Sequence, residues 1–424
     1  MLKALKKLPL PAKLFFCAAI ATPALIGGCM LKVNSDLSTA KSEARKAGLP
    51  ITFQEFRQLL PKPSRTANAA DIFREYAALY PNWNKTESEA MRLVHKKALT
   101  EEEVKHFDSL KPSLDKLSHL AAGLDKKTAV DFDREWEQGI KLQYPEYAKV
   151  KGFAQLLSVQ ARLKALHGDR LGALTEVQRI SKIGQLIGTE PTIIAMLVAI
   201  ACETIAFNML PFVIGEKPLT NEEKTVLVKM RQILASPRPF AYYLDSEPAI
   251  VVSTVEKMNS EDSSSPKAFG SKRSLPGEFL SSSWNNACLA EYLESLTKIY
   301  KVASDRTLTP KELTNRAREL DKENMASSLI DFRRMISAIF LPVICQATQS
   351  RTKQYIMRDL LDGLLGKPMA IDAFTELPFK QKALRNGVQY YSVGPDLKDN
   401  NGEIYNENGK RVSKSDDISI FIPR

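Results

Sequence analysis

Four carboxylates crowd one short acidic stretch of the chain: Asp131, Asp133, Glu135 and Glu137. If this stretch is helical, Asp131 and Glu135 share one face and Asp133 and Glu137 share another, because residues four apart are neighbours on a helix surface. Carboxylates separated by about 5 Å or by roughly 6.5–9.5 Å can act as acid, base or nucleophile on a glycosidic bond. The stretch makes a hydrolase acting on polysaccharide or peptide one hypothesis, with a solvated charged helix face as the simpler interpretation.

No other residue pattern indicates catalysis. The four histidines (His95, His106, His119 and His167) have no metal-binding spacing such as His-Glu-x-x-His. The chain also lacks a Gly-x-Ser-x-Gly elbow, a Gly-x-Gly-x-x-Gly turn and a phosphate-binding loop. We therefore assign no catalytic and no cofactor-binding residue, and the sequence favours a protein that works by binding over an enzyme.

The overall charge does not predict nucleic-acid binding. The 424 residues carry a net charge of +11, with 44% hydrophobic and 26% charged residues, as in an ordinary globular protein. Beyond the N-terminal segment the basic residues occur as isolated pairs, such as Lys96-Lys97 and Arg333-Arg334. A nucleic-acid-binding protein would gather them into a stripe or patch, so we expect no nucleic-acid partner.

The first 31 residues predict where the protein is located. Leu14 to Leu31 contains no charged residue and follows a basic start of Lys3, Lys6, Lys7 and Lys13. These 18 residues would cover about 27 Å as a helix, close to the roughly 30 Å hydrocarbon core of a bilayer. We therefore predict a membrane partner through residues 1–33, with the N-terminus cytoplasmic and the chain from Lys32 exported.

Three interpretations of this segment stay open. It can be a retained single-span anchor, a cleaved signal peptide, or a lipoprotein signal in which Ile26-Gly27-Gly28-Cys29 is a loose lipobox and Cys29 is the lipidated residue. All three place the rest of the chain in the periplasm or another extracytoplasmic space. Beyond this segment the cysteines are Cys202, Cys288 and Cys345, an odd number at wide spacing from which no disulfide can be read.

The exported part is predicted to be mainly helical. Helix starts are indicated by Ser or Thr followed three residues later by Glu, which satisfies two backbone N–H groups; these pairs are Thr52/Glu55, Thr86/Glu89, Thr100/Glu103, Thr220/Glu223 and Thr309/Glu312. Residues 156–188 predict a helical hairpin that turns at Gly168-Asp169 and resembles a tetratricopeptide-type repeat. The apolar stretch 191–210 predicts a helix enclosed in the core, with a second membrane span as the alternative.

Composition divides the chain further. We predict a helical domain at 34–258, a Ser-rich loop or linker at 259–283, a helical continuation at 284–370 and a small β-rich tail at 371–424. In the tail, Asn386-Gly387 predicts a tight β-hairpin and residues 418–422 predict a final strand. The expected fold is mainly α, with helical hairpins or a bundle, a C-terminal β-hairpin element and an N-terminal apolar anchor helix.

The tail contains a motif that resembles a known metal site. Tyr390-Tyr391-Ser392-Val393-Gly394-Pro395-Asp396 and the later Asp417-Ile418 resemble the C-terminal segment of type II secretion major pseudopilins, where a Tyr-Ser-x-Gly-x-Asp turn and an Asp-Ile pair bracket a calcium-holding loop. The resemblance implies Ca²⁺ as a cofactor, with Asp396, Asp399 and Asp417 as ligands; oxygen donors on a flexible loop suit this ion. Turn-forming Asp and Asn without metal is the alternative.

The whole layout resembles a group of uncharacterised membrane-anchored bacterial envelope proteins. The likeness is carried by the anchor, by Ala44-Arg45-Lys46-Ala47-Gly48-Leu49-Pro50-Ile51-Thr52, by the helical hairpins and by the Tyr-Ser-x-Gly-Pro-Asp tail. It implies a location and an architecture. The sequence thus predicts a membrane-anchored, exported scaffold or accessory protein with a protein partner in the envelope; the alternatives are an envelope hydrolase or a pilin-like secretion component.

Overall fold

A computed structural model describes residues 30–80, 85–235, 238–261, 275–305, 307–328, 335–412 and 415–423. The predicted anchor and Cys29 lie outside these residues. The described chain is mainly helical, as predicted. Its helices are α1 (30–46), α2 (Phe53–Leu59), α3 (Ala70–Leu79), α4 (Lys85–Leu93), α5 (Glu101–Ser109), α6 (Lys111–Ala122), α7 (Pro145–Leu166), α8 (Arg170–Ile187), α9 (Ile193–Ile214), α10 (Asn221–Ala235), α11 (Ser246–Glu261), α12 (Leu275–Ser304), α13 (Pro310–Ser328) and α14 (Met335–Leu364).

Most of the predicted helix starts are confirmed. In α2, α5, α10 and α13 the Thr hydroxyl accepts the N–H of the Glu three residues on, and that Glu accepts the Thr N–H in return. The pair Thr86/Glu89 differs, because Thr86 is already the second residue of Lys85–Leu93. Local hydrogen bonding therefore fixes four helix starts independently of the rest of the fold.

The predicted hairpin of 156–188 is also confirmed. Helix α7 ends at Leu166, Gly168 adopts φ +81°, and the Asp169 side chain accepts the N–H of Gly172 to begin α8. Helix α9 packs against both α7 and α8, and α10 packs on α8. The hairpin is thus part of a larger layer of packed helices.

Helix α9 is apolar on nearly every side and continues through Pro211 to Ile214. It is the one helix among the described residues that is long and apolar enough to cross a membrane, and 61% of its most apolar 18-residue window is buried inside the protein. Its residues contribute to two hydrophobic cores, as the core interpretation predicts.

The first core is formed by α3 to α10, the C-terminal half of α14 and the sheet. The second core is formed by α1, the N-terminal part of α9, a 3₁₀ helix at Phe240–Leu244, α11 and α12. Because α9 runs from the second core into the first, it joins the two.

The predicted hairpin and final strand are confirmed. They form a three-stranded antiparallel sheet of β1 (Lys380–Leu384), β2 (Gly387–Ser392) and β3 (Ile418–Pro423), in the order β1-β2-β3. The sheet packs on α14 and α9. The loop before β3 lies on the helical body, where Tyr405 stacks on His95 at 4.0 Å and Lys97 pairs with Glu407 at 2.6 Å.

Two segments differ from the sequence prediction. Residues 131–135 are not helical, and a short 3₁₀ helix begins only at Trp136. The Ser-rich segment 259–283 is helical at both described ends, since α11 runs to Glu261 and α12 begins at Leu275. Ser and Asn lowered the apparent helix signal there, although packing against the second core supports helix formation in α11 and α12.

Candidate functional site

Polar and charged side chains converge in a cavity of about 350 Å³ at the junction of the two cores. Helix α8, helix α9, the 3₁₀ helix Phe240–Leu244 and helix α14 form its walls. Its charged lining residues are Lys182, Glu203, Arg238 and Arg351. A volume of this size is at the lower end of the range for small-molecule sites in proteins.

Glu203 is the acidic group of the cavity and lies in the middle of apolar α9. The residue is 4% exposed. Helices α8 and α9 approach closely beside it, because a Cβ on Gly184 would lie 2.8 Å from the carbonyl oxygen of Ala199 and 3.0 Å from Cγ of Glu203. Burial raises the pKa of Glu203 to about 7, although the hydrogen bond from Gln354 and the charge of Arg351 act to lower it.

Helix α14 places a hydrogen-bonded chain against Glu203. The Gln354 amide donates to Glu203 Oε2, and the oxygen of the same amide accepts from Arg351 Nη1 at 2.6 Å. Arg351 is 3% exposed and also donates to the carbonyl oxygen of Arg238. The spacing of Arg351 and Gln354, three residues apart on one helix, lets both side chains reach into the cavity together.

The remaining cations stand nearer the entrance. Lys182 is half-buried and donates to Gln185 Oε1 at 2.9 Å, and burial lowers its pKa while Asp125 acts in the opposite direction. Arg238 is exposed, with its guanidinium over the ring of Tyr242 at 5.2 Å. Within the described part of the chain, none of Lys182, Arg238 and Arg351 has a carboxylate at ion-pair distance.

Comparison with known proteins gave no matching family model, curated protein or solved structure. Three cationic groups and one carboxyl of raised pKa are suited to holding a polar or anionic ligand, and Glu203 can take up or release a proton near neutral pH. Tyr243, whose hydroxyl donates to the carbonyl oxygen of Gly188 at 3.0 Å, closes one wall.

The sequence prediction did not find this site. Its charged residues are contributed by α8, α9, α14 and the segment before the 3₁₀ helix, and Glu203 and Gln354 are 151 positions apart. One signal was visible, namely the single acid that interrupts the apolar stretch of α9. A charge in an otherwise buried helix indicates a polar partner or a site.

The four acidic residues at 131–137 are not brought together in a cleft. Asp131, Asp133, Glu135 and Glu137 are all exposed, and Asp133 adopts φ +55°, outside a helix. Glu137 pairs with Arg57 at 2.7 Å, and Asp131 accepts the backbone N–H of Asp133 at 2.9 Å. The two shared helix faces expected for these carboxylates are therefore wrong.

The buried charged side chain of that stretch is that of Arg134. Its side chain is 3% exposed and makes a bidentate ion pair with Glu190, at 2.9 and 3.1 Å, and a bond to Glu146 at 3.0 Å. The guanidinium also lies over three rings at 4.7 to 4.9 Å, those of Phe132, Tyr144 and Tyr147. Burial acts to lower the pKa of Arg134, but its bonds to Glu190 outweigh this and the pKa is raised.

The three Asp residues implied as calcium ligands have separate partners. Asp399 pairs with Lys380 at 2.6 Å, Asp396 accepts the N–H of Lys398 at 3.1 Å, and Asp417 Oδ2 accepts the N–H groups of Asn400 and Gly402 at 3.1 and 2.8 Å. Among the described residues, no group of three His, Cys, Asp or Glu is placed to hold a metal ion.

Two oxygen atoms of the same loop nevertheless lack hydrogen-bond donors. Asp417 Oδ1 and Asn400 Oδ1 are buried without a partner, although the Asn400 backbone is bonded to the Asp417 carboxylate.

Of the cysteines, Cys202 and Cys288 are both buried thiols, and the side chain of Cys345 lies outside the described part of the chain.

Proposed function

We propose that this protein is a membrane-anchored, exported accessory protein or scaffold of the bacterial envelope that works by binding a protein partner. The observation that carries the proposal is the attachment of α1, which follows directly on the apolar run, to helices of the second core. Asn34 on α1 accepts from Asn286 at 3.2 Å, and Asn286 accepts from Asn259 at 2.9 Å. Lys41 of α1 pairs with Glu256 at 2.8 Å.

These contacts favour a body held at a fixed position relative to its anchor. Asn34 bonds to α12 and Lys41 pairs with α11, and Ala40 and Ala44 of α1 are buried in the second core. At the anchor end of α1, Leu31 is 75% exposed. An apolar residue this exposed suits a position at a lipid surface, where it continues the apolar run.

Two observations favour binding over the alternative functions. The carboxylates proposed for a hydrolase are exposed, and those of Asp131 and Glu137 are engaged by other groups, whereas acid–base catalysis requires convergent groups in a cleft. A pilin-like subunit would place the β-tail on the helix that continues the anchor, whereas the sheet packs on α14 and α9.

Membrane attachment and export are tested on the full chain with a C-terminal alkaline phosphatase fusion. We expect an active fusion in the carbonate-washed membrane fraction and a body that external protease digests in spheroplasts. Placing a charge in the apolar run, by Ile20→Asp, should release protein from the membrane, because a central Asp costs roughly 2.5–3.5 kcal/mol. An inactive fusion, or a body that external protease leaves intact in spheroplasts, would contradict the proposal, because alkaline phosphatase needs disulfides that form only outside the cytoplasm.

The variant Cys29→Ala separates the modes of attachment. A spanning anchor keeps the variant in the membrane, whereas a lipoprotein loses attachment when the lipidated thiol is absent.

To find the protein partner, we would cross-link intact cells and purify the tagged chain under denaturing conditions. A specific cross-linked envelope protein is expected, and none above that of an unrelated anchored protein would contradict a scaffold role.

A second candidate property, calcium binding by the tail, is favoured by the two buried oxygens without donors. Asp417 Oδ1 and Asn400 Oδ1 are hard donors of the kind Ca²⁺ prefers, and Asp396 and Asp399 lie in the same loop. We expect Ca²⁺ to raise the Tm of the full chain and EDTA to reverse this, with the shift lost in Asp417→Asn and retained in Arg385→Gln. An unmoved Tm in the wild type would contradict the metal site.

A further inference from the structure

The cavity between the two cores carries more positive than negative charge. Lys182, Arg238 and Arg351 line it, and Glu203 is the one acidic side chain among the described lining residues. Because none of the three cations has a described carboxylate within ion-pair distance, the excess is not compensated inside the cavity.

Arg351 makes this imbalance costly. It is 3% exposed, and its bonds go to two neutral acceptors, the Gln354 amide oxygen and the carbonyl oxygen of Arg238. Neutral acceptors satisfy the N–H groups but do not supply the opposite charge that a desolvated guanidinium needs. Glu203 is held away from Arg351 by the Gln354 amide that bridges them.

We propose that this cavity binds a small anion bearing a carboxylate or phosphate group, with Arg351 at the floor and Lys182 and Arg238 toward the entrance. Guanidinium groups match the planar oxygen pairs of both anions. Met196 and Ile233 add apolar wall, so the ligand carries a short nonpolar or hydroxylated body beside its acidic group. This site goes beyond the proposed scaffold role, because it needs no protein partner.

The site also explains the position of Glu203. A protonated carboxyl can donate to a bound anion, whereas an ionised one repels it. The groups that face Glu203 are Gln354 and Arg351 from α14, Tyr243 from the 3₁₀ helix and Cys202 from α9 itself. Anion binding is therefore expected to be tighter when Glu203 carries its proton.

The test uses the purified full chain in neutral detergent. Inorganic phosphate, glycerol phosphate and citrate serve as anions, glycerol serves as the neutral control, and binding is followed by thermal shift and by calorimetry at constant ionic strength. We expect a saturable rise in Tm with at least one anion and none with glycerol. A response to glycerol phosphate alone assigns the ligand to the headgroup class, and one to citrate alone assigns it to carboxylates.

Matched variants locate the effect. Arg238→Gln should weaken the affinity about fivefold, as for a partly screened ion pair. The control Arg385→Gln, at another exposed arginine on the β1–β2 turn, should leave the affinity unchanged. Arg351→Gln should abolish saturable binding; if that variant fails to fold, Lys182→Gln and Arg238→Gln decide.

The proposal is overturned by either of two results. One is a wild type that shows no saturable response to any of the three anions. The other is an anion affinity that is the same in the cavity variants as in Arg385→Gln. Neither result touches the membrane and cross-linking tests of the scaffold role, which contain no anion arm, so the two proposals fail separately.

Discussion

Two buried arginines, Arg134 and Arg351, differ in how their charge is paired. We call the surroundings of Arg134, where the charge has carboxylate partners, the saturated region, and those of Arg351, where it has none at ion-pair distance among the described residues, the unsaturated region. The side chain of Arg134 is 3% exposed, and Arg351 as a whole residue is 3% exposed. Arg134 contacts two carboxylates and lies over three aromatic rings, whereas Arg351 contacts an amide oxygen and a carbonyl oxygen and lies over one ring, that of Tyr355 at 5.9 Å. Burial of an uncompensated charge is costly. The ion pairs of Arg134 compensate its charge within the fold, whereas the charge of Arg351 favours binding of the anion proposed above.

The difference also follows from location. Arg134 fixes an irregular segment, 131–135, onto helix α7 and the α8–α9 junction through Glu146 and Glu190. Arg351 instead lines the cavity, together with the exposed Arg238. Arg134 therefore holds a segment that has no regular secondary structure, whereas the charge of Arg351 remains without an ion-pair partner and can attract an anion.

The largest expected effect breaks the saturated region. Arg134→Gln leaves Glu190 buried without its ion-pair partner, and removal of one partner of a buried pair costs about 3–5 kcal/mol. The control, Arg57→Gln, breaks the exposed pair with Glu137 and should cost less than about 1 kcal/mol. Urea unfolding of the full chain in detergent measures both, and equal losses would contradict a structural role for Arg134.

The next effect is a pH dependence set by Glu203. Its folded pKa of about 7 lies above the ordinary value of 4.5, so between these values the folded protein keeps a proton that the unfolded chain has released. Stability is therefore lost as the pH rises from 4.5 to 7 and stays constant above. Glu203→Gln removes the titrating group, and the variant should lose about 3 kcal/mol less than the wild type over that window.

Denaturant unfolding at several pH values checks this, with exposed Glu137→Gln as the control. Two other acids keep part of the slope of stability against pH in the Glu203→Gln variant. Burial raises the pKa of Asp245 and of Glu247 to about 7, and both act in the same direction as Glu203. An unchanged slope in Glu203→Gln would show that its carboxyl titrates normally in the folded protein.

How much of this was predictable depends on the range of the interactions. The cap pairs at Thr52, Thr100, Thr220 and Thr309 and the Asn386-Gly387 turn involve residues at most a few positions apart, so the sequence predicts them. In the cavity, Gln354 contacts Glu203 from 151 positions away in the sequence, and no local pattern places the two side chains together.

The stretch 131–137 shows why local patterns also mislead. Spacing of four suggested a helix with paired acids, but the burial of Arg134 among aromatic rings outweighs the local preference. The residue that fixes the conformation of this stretch is Arg134, the one cation among its four acids. Its role follows from its contacts and not from the composition of the segment.

A smaller effect is expected at Arg351. Arg351→Gln removes hydrogen bonds to neutral acceptors, but it also removes the cost of a buried charge without an ion-pair partner, so we expect a loss of at most about 2 kcal/mol. This is clearly below the loss for Arg134→Gln in the same urea experiment. Addition of the bound anion should stabilise the wild type and not the variant. A loss as large as that of Arg134→Gln would remove the distinction between the two regions.

The finest distinction compares two buried tyrosines. Tyr147 donates to the Glu190 carboxylate at 2.5 Å in the saturated region, and Tyr243 donates to the neutral Gly188 carbonyl at 3.0 Å on the cavity wall. Hydrogen bonds to charged groups contribute more than those to neutral groups, so Tyr147→Phe should destabilise the protein by about 1 kcal/mol more than Tyr243→Phe. Both changes keep the ring, which isolates the hydroxyl. The reverse order in urea unfolding would mean that the Tyr243 hydroxyl has a stronger acceptor than the Gly188 carbonyl. The strongest buried hydrogen bond of the pair would then lie at the cavity and not at Glu190.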